Sequence, residues 1–164
     1  MEPATCAVIF DLDGVLTDTA ELHYQSWKWM TEELGIPFDR RANEALRGLG
    51  RMESLDKVLG EGADQYSPEQ QQEIARRKNE DYVRRVQRMT WADLLPGAAD
   101  LLHALRARQV AVAIASSSKN AKLVVDRLGI GPLLDALVDG HDIDRSKPDP
   151  QVFHMAADRL NLAP

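Results

Sequence analysis

Two aspartates, Asp11 and Asp13, stand two residues apart in the segment Phe10-Asp11-Leu12-Asp13-Gly14-Val15. At the end of an extended run, that spacing turns both carboxylates to one side while Leu12 packs on the other. Such a pair suits a hard divalent cation. Magnesium takes one or two protein carboxylates and keeps water and phosphate oxygens for its remaining positions. A carboxylate also attacks phosphorus to give an aspartyl-phosphate when nearby cations offset its repulsion from the anionic phosphoryl group. Asp13 is then free to serve as acid and base. An Asp-x-Asp-Gly segment alone reads equally as a turn or a calcium loop, so its company decides.

That company lies at the ends of two further apolar runs. Val110 to Ala115 ends in Ser116-Ser117-Ser118, and Ala136 to Val138 is followed by Ser146-Lys147-Pro148. Ser116 offers a hydroxyl, and Lys147 a compact ammonium, for a phosphate and its carboxylate attacker. Ligands of open α/β sheets gather beyond the carboxyl ends of the strands, which is where these groups fall.

The elements that must position them alternate. Val8 to Phe10, Val110 to Ala115 and Ala136 to Val138 read as buried parallel strands, and Ala98 to Arg108, Lys119 to Leu128 and Pro150 to Leu160 as helices between and after them. This predicts an α/β fold, a parallel sheet flanked by helices. From Thr19 to Thr90 the rhythm changes to helical stretches alone, at Ala20 to Leu34, Ala42 to Leu46, Ser54 to Leu59 and Ser67 to Met89. Ser67-Pro68-Glu69-Gln70 supports a helix start, with Ser67 as N-cap and Pro68 in the first turn. The expected organisation is a core domain over 1–18 and 91–164 and an inserted α-helical cap domain over 19–90.

A chain of 164 residues buries a proper core without disulfides. Its single cysteine, Cys6, has no intrachain partner and reads as a small buried hydrophobe, which favours a reducing, cytoplasmic setting. The opening residues lack a basic segment, and the run Cys6 to Phe10 is too short for a signal peptide or a span, so no membrane association is expected. A net charge of -6 argues against binding nucleic acid. The basic cluster Arg76, Arg77, Lys78, Arg84, Arg85 and Arg88 reads as a solvated helix face.

The segments FDLDGVLTDT, ASSSKN and SKPDP resemble motifs one, two and three of the haloacid dehalogenase superfamily, and over essentially the whole chain the pattern is similar to its β-phosphoglucomutase family. The resemblance implies a Rossmann-like core with a helical cap. It implies interconversion of β-D-glucose 1-phosphate and glucose 6-phosphate through an aspartyl-phosphate enzyme, a phosphoprotein, and β-glucose 1,6-bisphosphate, with Mg2+ as cofactor. By motif, Asp11 is nucleophile and metal ligand, Asp13 is acid/base and lends a backbone carbonyl to the metal, and Ser116 and Lys147 hold the transferring phosphoryl group. Thr19, His23, Trp27, Arg47, Gly48, Arg51, Ser54, Lys78 and Asn79 fall where the family places substrate-binding cap residues. Arg51, with Ser118, Lys119 and Asn120, is implied to grip the distal phosphate, and His23 to connect cap closure to proton transfer. Read from the residues alone, Trp27 is as well a packing residue on the face of His23, and Trp29 and Trp91 are read as packing. Arg47 replaces the lysine of many members and Ser117 a frequent alanine.

Family members continue into a further strand with an acidic motif that supplies another magnesium ligand, and no such motif precedes Pro164. The expectation is therefore a truncated site with weak magnesium binding and slow or absent turnover in this chain, and an exposed edge beside Val8 to Phe10. The full-length parent is expected to be a monomer with a small sugar phosphate as its partner. The rivals are a sugar-phosphate phosphatase on the same fold, distinguished by release of inorganic phosphate, and a non-catalytic remnant that binds sugar phosphate.

Overall fold

The computed structural model describes residues 7–47 and 49–162, so that Cys6 and Gly48 lie outside the described residues. In chain order the elements are β1 (Ala7–Phe10), α1 (Ala20–Leu34), α2 (Arg40–Glu44), α3 (Arg51–Leu59), α4 (Pro68–Val86), α5 (Ala98–Ala107), β2 (Ala111–Ala115), α6 (Ala121–Leu128), β3 (Ala136–Val138) and α7 (Gln151–Arg159). They divide into two compact units, one made of Met1–Thr19 and Gln87–Pro164 and the other of Ala20–Val86.

The first unit holds a parallel sheet of order β1-β2-β3. Parallel strands are covered on both faces, which is why they appear in the sequence as unbroken apolar runs rather than alternating ones. The central strand β2 shows it most fully, with Val112, Ala113, Ile114 and Ala115 all buried. Its small alanines admit α7, whose Val152 and Ala156 pack with Ala113, Ala115 and Val138 in one cluster. The helix α6 ends where Gly129 takes a left-handed conformation, φ 69°, which only glycine adopts without strain. All three strands begin and end within a residue of the sequence expectation, β1 starting one residue earlier at Ala7 and β2 one later at Ala111. Among the described residues β1 pairs on one side only, with β2.

The second unit is helical throughout its described residues. Trp27 and Met30 of α1, Leu55 and Leu59 of α3, and Ile74 and Ala75 of α4 form its core with Leu46. The start of α4 is the one the sequence specifies. Gln70 N–H donates to Ser67 Oγ at 3.3 Å, and Ser67 N–H donates to Gln70 Oε1 at 2.8 Å, so two groups that a helix start leaves unpaired satisfy each other. Other ends differ from expectation. The helix expected from Ser54 begins at Arg51, because Glu53 turns back to accept Gly50 N–H at 2.7 Å and caps the earlier turn. The helix expected over Ala42 to Leu46 lies at Arg40–Glu44, where Asp39 accepts Ala42 N–H at 2.7 Å. The long helix stops at Val86 rather than Met89.

Candidate active site

The sheet register brings three loops together in the first unit. Phe10 pairs with Ile114 and Ala115 with Val138, so Asp11 follows directly after β1, Ser116 directly after β2, and Asp139 directly after β3. Ser116 N–H continues the ladder for one more step, donating to Val138 O at 3.0 Å. Lys147 then crosses the strand ends. Its Nζ lies 2.9 Å from Asp11 Oδ1 and donates to Ala115 O at 2.9 Å, with the Phe153 ring centroid 5.0 Å away. Asp11 Oδ1 also accepts Leu12 N–H at 2.7 Å. One carboxylate oxygen is thus held by an ammonium and an amide, while Oδ2 takes no hydrogen bond or ion pair from the described residues and the side chain is 41% exposed. A fixed, partly exposed carboxylate beside a cation is the arrangement that an attack on phosphorus needs.

Asp13 is in a different setting. The Thr19 hydroxyl donates to its Oδ1. Burial raises the Asp13 carboxyl above the ordinary aspartate range, Thr19 draws it down, and the charge of Asp11 adds to the rise. The burial that surrounds Asp13 therefore disfavours its charged form, as a group that must carry a proton requires. Between Leu12 and Thr17 the backbone turns tightly. Thr17 N–H donates to Leu12 O at 3.2 Å and Gly14 N–H to Thr17 O at 2.6 Å, so the bridge between Asp13 and Thr17 leaves the carbonyl of Asp13 out of the ladder. Thr17 Oγ1 donates to Asp93 O at 2.8 Å and Leu95 N–H to Leu16 O at 2.9 Å, which pins the turn.

The donor set fits a small hard cation. Asp11 Oδ2 and the carbonyl of Asp13 are oxygen donors at one strand end, and magnesium fills its other positions with water and phosphate oxygens. Among the described residues no group of three or more His, Cys, Asp or Glu side chains stands close enough to hold a metal by itself.

The loop after β2 is wound to receive an anion. Ser116 is 2% exposed, and its Oγ accepts Ser118 N–H at 3.1 Å, leaving the hydroxyl proton to be donated elsewhere. Ser118 Oγ accepts Asn120 N–H at 3.2 Å, and Lys119 is exposed at the loop's outer edge. The loop runs into α6, whose first-turn amides add to a field favourable to negative charge.

In the helical unit, His23 and Lys78 are brought together although 55 residues separate them. Lys78 Nζ lies 2.9 Å from His23 Nδ1, 4.9 Å from the Trp27 ring centroid and 5.2 Å from that of Tyr82, which stacks on His23 at 4.0 Å. Lys78 is only 5% exposed. Burial, with the charge of Arg51 beside it, pushes its ammonium down to about 7 from 10.5, against a smaller opposing pull from Asp81. Burial also drives His23 well below the usual histidine range, so His23 is neutral near pH 7. Arg51 opens α3 and donates to Asn79 Oδ1 at 2.8 Å, and Ser54 is buried one turn later. This cluster sets the Arg51 guanidinium and nitrogen donors beside apolar ring faces, a setting that favours an anionic, partly apolar ligand such as a sugar phosphate.

Some expectations need correction. Lys78 does not belong to a solvated helix face, whereas its neighbours do: Arg76 pairs with Glu73 and Glu80, and Arg77 with Glu33 at 2.6 Å. The difference follows from α4 turning one stripe toward α1. Trp91 does not pack inside; it is 43% exposed, tilted against His103. Trp29 is partly buried, with Arg77 and Arg84 over its ring. Trp27 is 3% exposed and sits within the helical core, presenting its face to Lys78. Arg47 stands apart from the Lys78 cluster in an exposed pair with Glu44 at 3.0 Å. Two contacts went unforeseen, Phe153 against Lys147 and Tyr82 against His23. The second had a signal in the sequence, since Lys78 and Tyr82 are four apart on one helix, as are His23 and Trp27.

A family model described as haloacid dehalogenase-like hydrolase matches residues 6–164. The chain belongs to the haloacid dehalogenase-like hydrolase family. Within it, this haloacid dehalogenase-like chain is 44% identical over 160 residues to a β-phosphoglucomutase of Bacillus subtilis, a match that covers 96% of the chain and 71% of that relative. A solved β-phosphoglucomutase from Clostridium difficile superposes with a TM-score of 0.85 at 40% identity, covering 95% of the chain and 71% of its own length. A phosphorylated carbohydrates phosphatase of Thermotoga maritima is more distant, 27% identical over 96% of the chain and 72% of the relative. The α/β core with its parallel sheet and flanking helices is thus that of the haloacid dehalogenase-like family, and the similarity to mutases exceeds that to the phosphatase.

Proposed function

We propose that the chain is a phosphotransferase of the β-phosphoglucomutase type, interconverting β-D-glucose 1-phosphate and glucose 6-phosphate through β-glucose 1,6-bisphosphate. The observation that carries this reading is the ion pair of Lys147 Nζ with Asp11 Oδ1 at 2.9 Å, set at the mouth of the β1 and β2 strand ends beside Ser116. The 44% identity to a β-phosphoglucomutase supports mutation rather than hydrolysis as the outcome.

In the forward half-reaction an Asp11 oxygen attacks phosphorus of the bisphosphate, a bond forms to the carboxylate, and the bond to the sugar oxygen breaks. Asp13, whose carboxyl is raised by burial above the ordinary aspartate range, gives a proton to the leaving sugar oxygen. In the second half-reaction Asp13 takes the proton from a hydroxyl of the monophosphate as that oxygen attacks the aspartyl-phosphate and frees Asp11. Lys147 and the Ser116 hydroxyl hold the oxygens of the moving phosphoryl group. Asp11 and the backbone carbonyl of Asp13 would hold magnesium, which would supply positive charge to offset that developing on the phosphoryl oxygens. Ser118, Lys119 and Asn120 take the second phosphate in the core. In the helical unit, Arg51 and Lys78 are the proposed nitrogen donors, and His23, Trp27, Arg47, Gly48 and Ser54, with Thr19 of the first unit, complete the proposed substrate contacts.

The test is product identity. Purified protein with magnesium, β-glucose 1-phosphate and a trace of β-glucose 1,6-bisphosphate is expected to give glucose 6-phosphate with little inorganic phosphate. Inorganic phosphate as the main product would replace mutation by hydrolysis.

A further inference from the structure

Gly140 is the most tightly approached of the described glycines. A Cβ placed on it would stand 2.4 Å from Ser117 O, 2.9 Å from Lys119 N and 3.0 Å from Lys119 Cγ. The first two are backbone atoms of the loop after β2, and no side-chain rotation relieves them. Gly140 is not in the left-handed region, so its lack of a side chain serves space rather than backbone conformation. The approach is also bonded. Gly140 N–H donates to Ser118 O at 3.1 Å.

The turn that presents Gly140 is itself held firmly. Asp142 N–H donates to Asp139 O at 3.1 Å, His141 N–H to Asp139 Oδ1 at 2.8 Å, and Asp139 N–H to Asp142 Oδ2 at 2.9 Å. Arg159 Nη2 stands 2.6 Å from Asp142 Oδ1 and ties the turn to α7. On its other side the Ser117 hydroxyl accepts Lys147 N–H at 3.3 Å. The loop Ser116–Asn120 is thus clamped between the turn after β3 and the segment that carries Lys147. We infer that Gly140 is a positioning residue for the second phosphate, setting the backbone of Ser118 and Lys119 where it grips that group.

This rests on the sugar-bisphosphate reading above, and it predicts a split between the two phosphate sites. Gly140 touches Ser117, Ser118 and Lys119 but makes no bond with Asp11, Ser116 or Lys147. A backbone displacement approaching an ångström degrades a positioned contact severely. Gly140→Ala is therefore expected to weaken binding of glucose 1,6-bisphosphate by about tenfold or more. Binding is measured by calorimetry in magnesium on an Asp11→Asn background that prevents turnover. Hydrolysis of acetyl phosphate by the variant with Asp11 intact, which needs no second grip, should fall by a clearly smaller factor than the bisphosphate affinity does.

Asp142→Asn provides a second variant that loosens the turn without adding atoms to the contact. It should show the same split in milder form, so the inference stands even where Gly140→Ala does not fold. Equal losses on the two phosphates, or unchanged bisphosphate affinity in a folded Gly140→Ala protein, would overturn it. If the parent itself shows no preference for the bisphosphate over inorganic phosphate, the sugar-bisphosphate reading fails first and takes this inference with it.

Discussion

Lys147 Nζ bridges two strand ends, 2.9 Å from Asp11 Oδ1 and 2.9 Å from Ala115 O. The pair is open enough to water, 25% and 41% exposed on its two side chains, for its own contribution to stability to be about 0–1 kcal/mol. Its value to a reaction that develops charge on phosphoryl oxygens is larger. Lys147→Ala is expected to lower kcat by about 10²–10³-fold, as loss of a preorganised charge donor does, while leaving the melting temperature nearly unchanged. Parallel kinetics and thermal denaturation check that contrast.

Phe153 faces the same ammonium with its ring centroid 5.0 Å away. At a partly exposed site this contact is worth about 0.5–1 kcal/mol. Phe153→Leu keeps an apolar side chain but removes the ring face, so a several-fold fall in kcat with little change in KM is expected. Steady-state kinetics on the variant separates this from a general loss of folding.

Lys78 makes the helical unit's stability depend on pH. Its folded value is about 7 and its ordinary value 10.5, so between those limits the unfolded chain holds a proton that the folded chain has lost. Stability must then rise with pH across that window, and the full cost of the buried charge is felt below about 7. Lys78→Met removes this contribution. Relative to the parent, the variant should gain most below pH 7, on the order of a few kcal/mol, with the difference shrinking toward pH 10.5. Denaturant titrations at several pH values measure it.

Ser67 offers a test of local structure alone. Its hydroxyl caps α4 by accepting Gln70 N–H at 3.3 Å, far along the chain from Asp11. Ser67→Ala should cost about 1 kcal/mol of stability and leave kcat unchanged. Equilibrium unfolding beside a rate measurement checks both halves.

The parts legible in the sequence are those with local causes. The period-two spacing of Asp11 and Asp13, the unbroken apolar runs of the strands and the Ser67-Pro68-Glu69-Gln70 box each act within a few residues, and β2 and α4 follow from them. Lys147 could be assigned to the site by its motif. Its hold on Ala115 O depends on which strands become neighbours, which no local pattern states. Lys78 was hidden for a similar reason: it sits in a run of arginines, and only the packing of α4 on α1 distinguishes it by surrounding it with Trp27, Tyr82 and His23. Gly140 gave no signal because its role is an approach between two loops rather than a turn of its own.

The central claim is that Asp11 carries the phosphoryl group between sugar molecules. Rapid acid quench after mixing with radiolabelled β-glucose 1,6-bisphosphate, followed by peptide mapping, tests it directly. The account predicts an acid-stable, hydroxylamine-labile label on the peptide that contains Asp11, absent from Asp11→Asn. Label on a different residue, or full turnover by Asp11→Asn, would contradict it.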